Sequence, residues 1–201
     1  MRRHRTAALA LLFAAAFTGC AKSDSTDAGS QSETPAGESN AASSSTAPTQ
    51  SPEPVVDPRP VTAADLQTLI AENQGKAVLV DFWATWCVPC VEQYPHTVEL
   101  SQKHPGDLVV FTVSMDEADE ESLAGVKSFL AANGVGNTTP LHSADGGSEQ
   151  AYIDFDITGG ALPHYKVYGR DGQLAASFGG DVDNPLEIEQ VDAAVAAALG
   201  E

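Results

Sequence analysis

The sequence predicts an α/β sandwich with a mixed β-sheet, and three observations carry that prediction. Short β-branched apolar runs at Ala77–Trp83 (AVLVDFW) and Leu108–Val113 (LVVFTV) read as buried strands. Helical patterns at Ala63–Asn73 and Glu120–Asn133 lie around them, as in parallel βαβ units. Near the end, His164–Tyr168 and Gln173–Phe178 flank Arg170-Asp171-Gly172, a hairpin signal that adds antiparallel strands. The 201 residues suffice for one domain of ordinary size or two very small ones. Ten basic against 28 acidic residues leave a formal charge of −18, which repels phosphate backbones and excludes nucleic acid as a partner. With 42% hydrophobic and 19% charged residues the chain as a whole is no disordered polyanion. Three cysteines are too few for a disulfide-stapled scaffold or an all-thiolate zinc site.

From the N-terminus, Arg2, Arg3 and Arg5 precede an apolar run from Ala7 to Phe17, the pattern of a secretory signal peptide over residues 1–19. That run is shorter than the ~20 residues of a membrane-spanning helix. Thr18 and Gly19 before Cys20 resemble the lipobox of bacterial lipoproteins, which implies a diacylglyceryl group on Cys20 and a protein tethered to a bacterial membrane on its extracytoplasmic side. Residues 20–60 read as a disordered linker: Ala21–Pro60 has no aromatic residue and holds half of the 12 prolines. A flexible chain of that length reaches about 30–40 Å.

Residues 61–201 are the expected functional domain. Thr62 is a plausible N-cap for the first helix, and Gly134 ends the helix that starts at Glu120. Gly134–Gly147, rich in Gly, Asn, Thr and Ser, reads as an elaborated loop. Helical segments at Ser148–Phe155 and Glu187–Leu199 complete the set. The acidic cluster Asp116, Glu117, Asp119, Glu120 and Glu121 is expected to complement a helix N-terminus.

Cys87-Val88-Pro89-Cys90 directly follows the first core strand and opens a helix. A helix start presents free N–H groups and the positive end of the dipole, and both favour a thiolate. Cys87 is therefore the expected nucleophile, with a depressed pKa and an exposed sulfur. Cys90, one turn later, is the expected sheltered resolving thiol. Pro89 suits the first turn, where a missing N–H costs nothing. Metal binding is not expected, because no spacing among the five histidines supplies the two further ligands that this pair would need.

Val80–Cys90 (VDFWATWCVPC) resembles the active-site segment of the thioredoxin superfamily, and the exported context with the Val113–Asp116 stretch (VSMD) resembles its TlpA/ResA-like branch of exported thiol–disulfide oxidoreductases. The resemblance implies a three-layer sandwich with a central mixed β-sheet flanked by helices. It implies that Asp81 is the buried acid that accepts the Cys90 proton, and that Trp86 flanks the nucleophile. Pro95 would kink the active-site helix, and Pro163 would be a cis-proline facing the disulfide and pairing with substrate backbone. Leu162 stands where the family more often has Val or Thr, and would narrow what can dock. His164, which follows the proline, is expected to face solvent on a strand.

The function implied is reduction of disulfides in exported proteins, with cytochrome c maturation as one setting. The redox-active Cys87–Cys90 disulfide would be the only redox group, with no added cofactor. Electrons would come from a transmembrane thiol carrier of the CcdA or DsbD type, and the chain would act as a monomer. An oxidase or isomerase of the same fold, or a redox-inactive binding module, are the alternatives.

Overall fold

The computed structural model describes residues 56–180 and 185–201. The expected signal peptide, Cys20 and the linker up to residue 55 lie outside the described residues. Among the described residues no helix is long and apolar enough to cross a membrane.

The elements run β1 (Arg59–Val61), α1 (Ala63–Glu72), β2 (Ala77–Trp83), α2 (Val88–Lys103), β3 (Leu108–Ser114), α3 (Glu120–Asn133), β4 (Thr139–Ser143), α4 (Glu149–Asp154), β5 (His164–Tyr168), β6 (Leu174–Gly179) and α5 (Ile188–Leu199). The strands form one sheet in the order β1-β4-β3-β2-β5-β6. Its β1/β4, β4/β3 and β3/β2 pairs are parallel, and β2/β5 and β5/β6 are antiparallel. The mixed sheet is thus the expected one, with β2 at its centre and the CxxC segment leaving its C-terminal end.

Strand periodicity sorts the core into layers. On β2, Val78, Val80 and Phe82 join Leu66 and Ile70 of α1, Ala151 of α4 and Phe155 on one face. Ala77 and Leu79 pack with Leu100 of α2 and with Val191 and Val195 of α5 on the other. Trp83 continues that second face and meets Cys87, Cys90 and Tyr94 with Val126 and Leu130 of α3. Both faces of β2 are therefore covered, which is why the run reads as continuously apolar. Each such Val, Leu or Ile side chain contributes roughly 1.5–3 kcal/mol by leaving water.

Three expectations need correction. Arg59 and Pro60, assigned to the linker, are strand residues: Arg59 pairs with Leu141 and Pro60 with His142, at a sheet edge where proline is tolerated. Gly134–Gly147 is not all loop, because Thr139–Ser143 is a strand between β3 and β1. Its one leucine among Thr, Pro, His and Ser hides that role; neighbouring strands, not its own composition, bury it. His164 does not face solvent but is 1% exposed, because β5 is an interior strand covered on both faces.

Candidate active site

Cys87 and Cys90 form a disulfide with 5.3 Å between their Cα atoms. Cys87 is the N-cap of α2, in extended conformation (φ −89°, ψ 100°), and its Sγ accepts a hydrogen bond of 3.3 Å from the Cys90 N–H. This places a free helix N-terminal donor on the sulfur, the local field that favours a thiolate once the bond is reduced. The expected contrast in exposure is small: Cys87 is 5% and Cys90 2% exposed. The asymmetry lies instead in access. A groove of about 650 Å³ is lined by Cys87 but not Cys90, together with Trp86, Val88, Leu162, Pro163 and Leu186.

Two segments bring these residues together. The β2–α2 turn is closed by the Cys87 N–H donating to Ala84 O at 3.1 Å, and it leaves Trp86 projecting into solvent at the groove. The segment before β5 supplies Leu162 and Pro163, joined by a cis peptide bond. Leu162 is half-buried and Pro163 buried. Pro95 lies inside α2, where its ring removes the N–H that would have bonded Val91 O.

Asp81 is buried on the face of β2 that meets α2. Its Oδ2 accepts a 2.7 Å hydrogen bond from the Thr97 hydroxyl, while Oδ1 has no partner among the described residues. Burial raises its pKa to about 7, against the Thr97 hydrogen bond and the nearby Tyr165 hydroxyl, which favour the charged form. Thr97 stands two helical turns beyond Cys90, so the carboxyl and Cys90 are served by one face of α2. Tyr165 stands opposite Asp81 in the β2/β5 register, and its hydroxyl is 3.4 Å from Thr97 Oγ1. Beneath the disulfide, the Trp83 and Tyr94 rings lie 5.1 Å apart and each packs on Phe129.

His164 Nε2 is 3.0 Å from Ser177 Oγ on β6. Burial, then the neighbouring Lys166 charge, lowers its pKa to about 4, so the ring is neutral at physiological pH.

The acidic cluster divides. Asp119 caps α3, accepting from the Glu121 and Ser122 N–H groups. Asp116 does not serve that helix: it is buried and binds Thr85, two residues before Cys87. Sequence reasoning missed Thr85, Thr97, Tyr165 and this use of Asp116. Only Thr97 carried a signal, its heptad spacing from Cys90.

A family model described as Redoxin matches residues 42–195. Among curated relatives, a thioredoxin of Geodia cydonium is 36% identical over 63 residues, 31% of this chain and 58% of that protein. The thioredoxin-like protein YneN of Bacillus subtilis is 34% identical over 68 residues, 34% of this chain and 39% of that one. The chain thus spans about half the length of the curated relatives it matches. Among solved structures, a secreted Mycobacterium tuberculosis disulfide oxidoreductase homologous to Escherichia coli DsbE superposes with a TM-score of 0.50 at 21% identity, covering 63% of this chain and 85% of that one. At that identity the likeness speaks for the fold, which is thioredoxin-like.

Proposed function

This chain belongs to the Redoxin family, and from that premise we propose that it is a thiol–disulfide oxidoreductase that reduces disulfides in exported proteins. One observation carries the reading: a Cys87–Cys90 disulfide at the N-terminus of α2, opening through Cys87 onto an apolar groove shared with the Leu162–Pro163 segment. The relatives' names and the TlpA/ResA-like sequence features support it.

In the proposed cycle the reduced Cys87 thiolate attacks one sulfur of a substrate disulfide. A Cys87–substrate disulfide forms, and the other substrate sulfur leaves as a thiolate and takes up a proton. Cys90 then gives its proton to Asp81 and attacks Cys87 Sγ. The mixed disulfide breaks, the second substrate thiolate leaves and is protonated, and Cys87–Cys90 is restored. Two electrons pass from the dithiol to the substrate. An acid titrating near 7 is matched to accepting a proton at neutral pH. Trp86, Leu162 and Pro163 line the groove where substrate backbone would lie.

The reducing direction is supported by the spacer, since Val88 and Pro89 offer the thiolate no side-chain charge or donor. It is supported too by Asp81, whose ionised form disfavours a neighbouring thiolate. Re-reduction would come from a transmembrane thiol carrier of the CcdA or DsbD type. Tethering through a lipid on Cys20 would hold the monomeric domain at the outer side of a bacterial membrane, with apocytochrome c as one class of substrate.

The test is a trap. In the full chain Cys90→Ser should accumulate a covalent, thiol-reversible adduct with a disulfide-bearing protein substrate, and Cys87→Ser should form none. Equal adduct yield from the two variants would remove Cys87 as nucleophile.

A further inference from the structure

Asp116 lies just beyond β3, 3% exposed, and its carboxylate gathers donors from two segments. The Thr85 N–H lies 3.2 Å from Oδ1 and 3.0 Å from Oδ2, and the Thr85 hydroxyl donates to Oδ1. Ser114 Oγ donates to Oδ2 at 2.7 Å and accepts the Asp116 N–H at 3.1 Å. A buried carboxylate is costly unless so satisfied, and here two of its three donors belong to Thr85 in the β2–α2 turn. The other side of the Asp116 segment is walled off. A Cβ on Gly147 would lie 2.6 Å from Met115 O, and one on Gly146 would lie 2.9 Å from Ala118 N. Asp116 is therefore held between the loop after β4 and the turn that ends in Cys87.

We propose that Asp116 is a positioning residue for Cys87, acting through Thr85. The proposal rests on the reading of Cys87 as nucleophile. The turn itself is closed by the Cys87 N–H to Ala84 O bond, with Thr85 as its second residue. Pinning Thr85 by both its N–H and its hydroxyl fixes the path of the turn, and so the N-cap conformation in which Cys87 Sγ meets the Cys90 N–H. Freeing the turn lets that sulfur leave its donor, and the thiolate loses stabilisation. Simple electrostatics predicts the opposite sign: deleting a nearby negative charge would lower a thiol pKa. The two roles are therefore separable by direction.

The experiment follows the rate of iodoacetamide alkylation against pH in the full chain carrying Cys20→Ser and Cys90→Ser, so that Cys87 is the single thiol and the residue 90 N–H remains. Asp116→Ala should lower the acid dissociation constant of Cys87 about fivefold, the size of one helix N-cap interaction, read as an upward move of the titration midpoint. Thr85→Val, which keeps the N–H donor and loses the hydroxyl, should shift it the same way by less. Asp116→Asn, which keeps an acceptor and loses the charge, should fall between parent and Asp116→Ala. A midpoint unchanged or lowered in folded Asp116→Ala overturns the proposal, as does the same result in Thr85→Val and Asp116→Asn if Asp116→Ala fails to fold. A parent Cys87 that already titrates as an ordinary thiol overturns the nucleophile reading together with the proposal. A depressed parent midpoint that no variant moves overturns the proposal alone.

Discussion

Asp81 and His164 are both buried ionisable groups, yet burial pushes their pKa values in opposite directions. Burial favours the neutral form of each, so the acid is raised to about 7 and the base lowered to about 4. The folded chain holds the Asp81 proton more tightly than the unfolded chain. Its contribution to stability is complete below pH ~4 and lost as the pH rises through about 7, on the order of 4 kcal/mol in all. The folded chain holds a His164 proton less tightly, so its contribution is complete above pH ~6.5 and lost as the pH falls through about 4. The thermal unfolding temperature of the oxidised chain should therefore fall from pH 5 to pH 8 in the parent and much less in Asp81→Asn. His164→Asn should in turn lose less stability than the parent between pH 6.5 and pH 4. A parallel pH profile for parent and Asp81→Asn would show that the carboxyl is not titrating in this range.

At the scale of elements, α2 joins the sheet core to the Cys87–Cys90 pair. Its first turn serves Cys87, its middle carries Pro95, and its next buried face brings Thr97 to Asp81. The neighbouring β4 and the loop after it have a quieter task, which is to back the Met115–Ala118 segment. That task requires glycine at position 147, where any Cβ would press on the Met115 carbonyl. Gly147→Ala should destabilise the chain by about 1–3 kcal/mol, the usual cost of overpacking, read as a lowered urea midpoint with unchanged slope. An unchanged midpoint would mean that the loop after β4 shifts freely. In α1 the Thr62 cap was legible in advance because its signal is local; the structure adds Asp65 to it, with Thr62 accepting the Asp65 N–H and the Asp65 carboxylate accepting the Thr62 N–H.

The property of the whole molecule that matters most is the reduction potential of the Cys87–Cys90 couple, since helix start, buried acid and groove all act on it. A donor role calls for a value near or below about −250 mV, measured in defined thiol buffers on the full chain with Trp86 fluorescence as readout. A value near about −120 to −180 mV would place the pair with oxidants and isomerases and reverse the proposed electron flow. The same scale explains how the chemistry is separated. The disulfide lies where α2 leaves the C-terminal end of β2, Asp81 enters from within that strand, and the Leu162–Pro163 segment arrives from a stretch some 70 residues later along the chain.

What is local or periodic could be read along the chain: the apolar runs of β2 and β3, the bounds of α3, the cap of α1, the β5–β6 hairpin, and a CxxC pair opening a helix. Those features rest on hydrophobic period, caps and spacing, which act within a turn or a strand. Which groups face one another across the fold depends on how the layers assemble. β1 and β4 are strands because the sheet completes them, and His164 is buried because β5 is covered on both faces. Asp116 binds Thr85 across 31 residues, although its place in an acidic run made it look like a helix-terminal charge. Burial and long-range pairing are set by all the layers at once, so composition at one position could not report them.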